Sequence, residues 1–178
     1  MQVLCFGDSN TYGYDPRSWL GGRYPAESRW VDILAQKTGW EWINLGENGR
    51  CIPQRPVPLP ADADWLIVML GTNDLLQGST PEQAAERMQR FLRGLTLAPE
   101  KIWLVAPPPM ALGEWVPDET LISASRTLAG CYRTLAQKMG TRFADAGNWG
   151  VTLAYDGVHF TAQGHRSFAE GLYEELSR

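Results

Sequence analysis

The sequence predicts an α/β fold: a five-stranded parallel sheet between two helical layers, a three-layer α/β/α sandwich of the doubly wound, flavodoxin-like kind. Three observations predict it. Short apolar runs alternate with helical patterns along the whole chain. The helical patterns open on caps and close on glycines. The 178 residues hold no repeat, low-complexity tract or linker, so residues 1–178 are expected to form one domain with a sizeable core.

The first strand is expected at Gln2–Phe6, an apolar run followed by Gly7-Asp8-Ser9-Asn10, which are turn formers and helix caps. A helix at Arg29–Lys37 places Trp30, Ile33, Leu34 and Lys37 at helical spacing and stops at Gly39. A second strand at Glu41–Leu45 leads into the proline-rich stretch from Pro53 to Pro60, read as an extended loop. The third strand is Trp65–Leu70. Thr80-Pro81-Glu82-Gln83 is a capping box with proline at the first helical position, and it opens a helix at Pro81–Leu95. The fourth strand, Lys101–Ala106, is ended by Pro107-Pro108-Pro109. A helix at Glu119–Met139 gathers Ile122, Leu128, Tyr132 and Leu135 on one broad face and ends at Gly140. A short fifth strand at Arg142–Ala144 precedes a last helix from about Ala162 to Leu176, capped by Thr161.

Composition excludes several function classes. The net charge is −4 and no basic stripe occurs, so nucleic acid is not an expected partner. The longest apolar run, Trp65 to Leu70, is far too short to span a membrane. The first strand begins within two residues of Met1, so no signal peptide is expected. Three well-separated cysteines, Cys5, Cys51 and Cys131, are an odd number without metal-ligand spacing. They read as reduced thiols of a cytoplasmic protein, with Cys5 buried and inert. A homo-oligomer stays open.

In a parallel sheet, the loops after the strands meet on one edge, where ligands bind. Three such loops carry suggestive polar residues: Gly7-Asp8-Ser9-Asn10, then Asn44 to Arg50, then Gly71-Thr72-Asn73-Asp74. A fourth segment, Asp156-Gly157-Val158-His159-Phe160, precedes the last helix. A serine nucleophile needs a base, and the base needs an orienting group. The chain has two histidines. His159 follows Asp156 by three residues across a glycine-containing turn, so the carboxylate can hold one ring nitrogen while the other faces outward. His165, inside the last helix, reads as structural or surface. Acyl transfer also needs donors aimed at an oxyanion. Candidates are the Ser9 N–H at a helix start, the Gly49 N–H and the Asn73 side-chain amide. Each alone is also an ordinary turn or cap residue. Asp8 and Asp74 are read as structural, bonding loop amides, and Arg50 as a solvated loop arginine.

These blocks resemble the GDSL-type hydrolases of the SGNH superfamily. The superfamily's name-giving residues would be Ser9, Gly49, Asn73 and His159, with Asp156 completing a triad. Asn10 stands where that family usually carries leucine, whereas Gly71–Asp74 and Asp156–Phe160 match well. Gly49 is preferred to Gly46 because the family's glycine follows the strand's asparagine, here Asn44, by several residues. Phe6–Ser9, Arg29-Trp30, Met69–Asp74 and Ala106–Pro109 resemble the arylesterase and acyltransferase branch. The resemblance implies the SGNH hydrolase fold and a serine esterase. In it Ser9 attacks, His159 is the base, and Ser9, Gly49 and Asn73 hold the oxyanion, with no metal or organic cofactor.

Eight tryptophans are many for this length, and Trp30, Trp65 and Trp103 belong to expected core elements. Tyr12, Tyr14, Trp19, Trp115, Trp149 and Tyr155 fall in or near loops, and Tyr12 and Trp115 are the candidates for substrate contact. No long apolar stretch suggests a lid, which favours short acyl groups on small-molecule esters, acetylated carbohydrates among them. Water or an alcohol could take the acyl group from Ser9, so acyl transfer to alcohols stays open beside hydrolysis. The competing readings are a lysophospholipase or thioesterase for longer chains, and a non-catalytic carbohydrate-binding module.

Overall fold

The structure is a computed structural model that describes residues 1–18 and 20–177, so Trp19 lies outside the described residues. Five strands, β1 (Gln2–Gly7), β2 (Glu41–Gly46), β3 (Trp65–Met69), β4 (Ile102–Ala106) and β5 (Arg142–Asp145), form one sheet in the order β2-β1-β3-β4-β5. Every neighbouring pair is parallel. The chain steps to one side of β1 to form β2, then to the other to form β3. The reversal point of the doubly wound order therefore lies between β1 and β3.

Among the described residues, six α-helices accompany the sheet: α1 (Ser9–Tyr12), α2 (Trp30–Thr38), α3 (Thr72–Leu76), α4 (Pro81–Arg93), α5 (Glu119–Met139) and α6 (Ala162–Leu176). The strand side chains alternate between two apolar clusters. Leu4, Phe6, Leu66, Val68, Ile102 and Leu104 pack with Met88, Phe91, Leu128 and Tyr132 of α4 and α5. Val3, Cys5, Ile67, Met69, Trp103 and Val105 pack with Trp30, Leu34, Phe168 and Leu172 of α2 and α6. Both faces of the sheet are thus covered, which is why its central strands read as unbroken apolar runs. The expected three-layer α/β/α architecture is the one observed.

The caps read from sequence are present. Thr80 and Gln83 form the reciprocal capping box of α4, Thr161 accepts from Gly164 N–H at α6, and Gly39 and Gly140 end α2 and α5 in the left-handed conformation. Differences lie at element ends and in α3, a short helix where the sequence reads as a loop after the third strand. β1 and β2 each run one residue further than their apolar runs, because the backbone pairing continues to Gly7 opposite Gly46. The start of the fourth strand moves to Ile102 because Pro99–Lys101 form a 3₁₀ turn. Among the described residues, no helix is long and apolar enough to cross a membrane.

Gly46 fixes where α1 sits. A Cβ there would lie 2.1 Å from the Tyr12 nitrogen and 2.6 Å from the Thr11 carbonyl carbon, so the backbone of α1 rests directly on the end of β2. Both colliding atoms are main chain and cannot rotate away. Gly46→Ala is expected to cost more than about 3 kcal/mol of unfolding free energy in urea titration. Gly39→Asn, at φ 69° with open space around the α-carbon, is expected to stay within about 1 kcal/mol of wild type.

Candidate active site

The β1–α1 turn begins the site. Asp8 caps α1, its carboxylate accepting the Asn10 N–H at 2.9 Å, and Ser9 is the first residue of the helix. At that position the Ser9 N–H has no intrahelical acceptor. Ser9 is 6 % exposed.

His159 arrives from the other end of the chain. Its Nε2 lies 3.0 Å from Ser9 Oγ, and its Nδ1 lies 2.7 Å from Asp156 Oδ2. The other Asp156 oxygen accepts the N–H groups of Val158 and His159, each at 2.9 Å. Burial would raise the Asp156 carboxyl. The bonds from the His159 ring and the two amides outweigh it and hold the group below the ordinary carboxylate range. An ionised Asp156 accepts only, so Nδ1 carries the proton and Nε2 presents its lone pair to the Ser9 hydroxyl. The arrangement can take a proton from Ser9 and hold the resulting imidazolium.

The three candidate oxyanion donors line one cleft of about 240 Å³, together with Tyr14, Asn48, Trp115 and His159. Gly49 adopts φ 73°, a left-handed conformation that favours glycine. Asn73, in the first turn of α3, donates one amide hydrogen to the Arg50 carbonyl at 3.1 Å. A primary amide has two, so this bond orients the group and leaves the second hydrogen for another acceptor.

The imidazole of His159 is walled by two rings, Tyr14 at 4.7 Å and Trp115 at 5.0 Å between centroids. Trp115 is held by the loop after β4. That loop runs beside the Asp156 turn, with Ala111, Glu114 and Trp115 N–H groups donating to the carbonyls of Gly157, Tyr155 and Asp156. Tyr12 does not line the cleft. It lies under the Arg23 guanidinium at 4.3 Å, and Tyr14 takes the place expected for it. The reason is the shortness of α1. The helix ends at Gly13 in the left-handed conformation, which turns the chain so that the next aromatic faces His159.

Arg50 is also a correction, because it is not a solvated loop residue. It is half-buried with its guanidinium 4.3 Å from the Phe6 ring, donating to the carbonyls of Gly7 and Leu45 and to Glu47. Carbonyls at the ends of β1 and β2 need donors once the ladder stops, and Arg50 supplies them. Asp74 and Asp8 have the structural roles expected. Asp74, fully buried, accepts the Ile52 N–H at 3.0 Å and pairs with Arg87 at 3.0 Å. Sequence reasoning missed Asn48 in the cleft and Asn10, and it ranked Tyr14 behind Tyr12. The signal for Asn10 was its polar side chain directly after Ser9 in a buried turn. Among the described residues, no three His, Cys, Asp or Glu side chains converge to hold a metal ion.

The sequence matches the family described as GDSL-like lipase/acylhydrolase over residues 5–167. Among solved structures, the M. smegmatis aryl esterase superposes with a TM-score of 0.83 at 29 % identity, covering 99 % of this chain and 98 % of that one. A carbohydrate acetylesterase from Sinorhizobium meliloti superposes with a TM-score of 0.79 at 27 % identity, covering 99 % and 98 %. A member of the lipolytic G-D-S-L family from Veillonella parvula shares the fold, with a TM-score of 0.77 at 21 % identity over 100 % and 99 % of the two chains. No curated protein sequence matches the chain.

Two buried titratable groups beside the site have opposite pH signatures. Burial pushes the Asp8 carboxyl up from 3.8 to about 6, with hydrogen bonds and the positions of His159 and Arg50 opposing it only in part. Between these values the folded state binds more protons than the unfolded one, so this group's contribution to stability falls as pH rises. Asp8→Asn keeps the shape and the acceptor. It is expected to be more stable than wild type near pH 8, by up to about 3 kcal/mol, with the difference closing towards pH 4 in urea titrations. His165 is fully buried with both ring nitrogens unpartnered, between Tyr24 and Phe160. Burial, with Arg29 adding to it, lowers its pKa from 6.5 to about 3. It unfolds into a form that takes up a proton, so stability is lost as pH falls from about 6.5 towards 3. His165→Phe is expected to flatten that acid limb. An unchanged limb would assign the acid sensitivity elsewhere.

Proposed function

Because the chain belongs to the GDSL-like lipase/acylhydrolase family, we propose that it hydrolyses small, short-chain carboxylic esters through an acyl-enzyme on Ser9. The observation that carries the proposal is the continuous hydrogen-bonded chain Asp156–His159–Ser9, opening on a cleft with amide donors. Ser9 Oγ attacks the ester carbonyl while His159 Nε2 takes its proton. Asp156 keeps the imidazole in the required tautomer and stabilises its cation. Charge on the carbonyl oxygen is met by the N–H groups of Ser9 and Gly49 and by the free hydrogen of Asn73. His159 returns the proton to the departing alcohol. Water, activated by the same imidazole, then releases the acid; an alcohol in place of water gives acyl transfer.

The size of the cleft supports a short acyl group. About 240 Å³ lies below the usual range for drug-sized ligands, and Tyr14 and Trp115 stand as its walls. An apolar hollow of about 370 Å³, lined by Leu4, Leu59, Leu66 and Leu97, shares no residue with the cleft, so it offers no continuation for a long acyl tail. The hollow that adjoins the cleft at Tyr14 is lined by Pro16, Arg17, Ser18 and Tyr155, so a guanidinium and hydroxyls stand where a long acyl tail would need apolar walls, which weighs against a lysophospholipase or thioesterase. Aromatic walls suit the apolar face of a sugar, and the likeness to a carbohydrate acetylesterase supports acetylated carbohydrates among the substrates. A pure carbohydrate-binding module would have no use for a base hydrogen-bonded to a buried serine. A cytoplasmic location is part of the proposal and rests on three free thiols.

The test is a panel of acetyl, butyryl and octanoyl nitrophenyl esters. Acetyl and butyryl are expected to be preferred, and a strong octanoyl preference would overturn the short-chain reading. Ser9→Ala is expected to abolish turnover and labelling by a fluorophosphonate probe. Asn73→Ala is expected to lower kcat by about 10²–10³-fold with KM changed little, because its bond strengthens only as the oxyanion forms.

A further inference from the structure

Ser9 and His159 are 150 residues apart in sequence, and their 3.0 Å contact requires two loops to be held in register. A hydroxyl–imidazole bond is too weak to impose that register, and it must break in every catalytic cycle. Something that does not react has to hold the loops together.

Asn10 does so by geometry. Its side-chain amide donates to the Val158 carbonyl at 3.2 Å, and its side-chain oxygen accepts the Phe160 N–H at 2.9 Å. These two residues flank His159 on either side. The clamp is itself fixed at its base. Its backbone N–H goes to the Asp8 carboxylate at 2.9 Å, and its carbonyl accepts the Trp30 indole N–H at 3.0 Å, while Trp30 is fully buried. Asn10 is 3 % exposed, so water does not compete for these bonds. One primary amide thus spends a donor and an acceptor on the two peptide units that carry the base. An amide carries its donor and its acceptor on two separate atoms of one neutral group, so a single side chain reaches both peptide units.

We propose that Asn10 is the positioning residue of this site: it sets the Ser9–His159 distance by gripping the backbone on both sides of His159. This rests on the reading of Ser9 and His159 as nucleophile and base. Asn10 does not touch the reacting atoms and acts through His159. Displacing the base by even about 1 Å is enough to cost roughly a hundredfold in rate.

Asn10→Leu removes both bonds while keeping the branched outline of the side chain, and Asn10→Asp keeps the acceptor for Phe160 N–H at nearly identical shape. Thr38→Val is the comparator. Thr38 Oγ1 likewise bridges several groups, Leu34 carbonyl, Trp40 N–H and Trp42 indole N–H, at the far end of α2. In Asn10→Leu, kcat on acetyl ester and the rate of fluorophosphonate labelling are both expected to fall about 10–100-fold, with KM within about threefold of wild type. Asn10→Asp is expected to fall less, and Thr38→Val to lose melting temperature without losing kcat. Amide hydrogen exchange at Phe160 is expected to accelerate in Asn10→Leu. Wild-type kcat in Asn10→Leu, or a loss no larger than that of Thr38→Val, would overturn the proposal, as would unchanged Phe160 exchange. If Asn10→Leu does not fold, Asn10→Asp decides by the same kcat and exchange criteria. Failure of the wild-type enzyme to label would instead sink the Ser9 reading, while the exchange measurement would still judge the clamp.

Discussion

Parallel pairing of β1 with β2 on one side and β3 on the other is the constraint on which the rest of this molecule depends. It sends the loops after all three strands to one edge. Ser9, Gly49 and Asn73 come from those loops and need no further device to be neighbours. The reversal of winding direction at β1 opens the crevice between the turns that follow β1 and β3. Only His159 and Asp156 come from beyond the last strand, and for them the sheet gives no address. They are brought in by bonds: Asn10 from below, and the backbone of the loop after β4 alongside.

The site is polar, buried and closely satisfied. Asp156 accepts three bonds, Asp74 holds an amide and a guanidinium, and Arg50 ties up the frayed carbonyls of two strands. Such networks are costly when half-made and rigid when complete. The exceptions are Asp8 and His165, whose burial displaces their titration in opposite senses. They lie against the same loops, one capping α1 and one behind Phe160. The scaffold that orders the chemistry therefore carries some electrostatic strain of its own.

Most of the fold was legible in the chain. The apolar runs located all five strands, and the Thr80 and Thr161 caps and the Gly140 stop located helix ends to the residue. These features are local: a cap or a glycine stop acts within one turn of its own position. The residues proposed for the site were readable as candidates for a related reason. A serine at a strand end, a histidine three residues from an aspartate, and an asparagine amide at another strand end are short patterns once the sheet is parallel.

Other features depended on contacts far apart in sequence. That Tyr14 rather than Tyr12 faces His159 depends on how the chain leaves α1 at Gly13. That Arg50 is folded over Phe6 depends on two strand ends left without a ladder. That Asn10 grips Val158 and Phe160 depends on a loop arriving from the far end of the chain. The sequence by itself determined the layers, the strand succession and the residue types able to do acyl chemistry, because these follow from periodicity and local capping. Only the tertiary structure decided which aromatic rings wall the imidazole and which amide bonds the backbone on both sides of it. Those outcomes are set by side chains meeting across tens of residues to about 150 residues of intervening chain, where no local rule reaches.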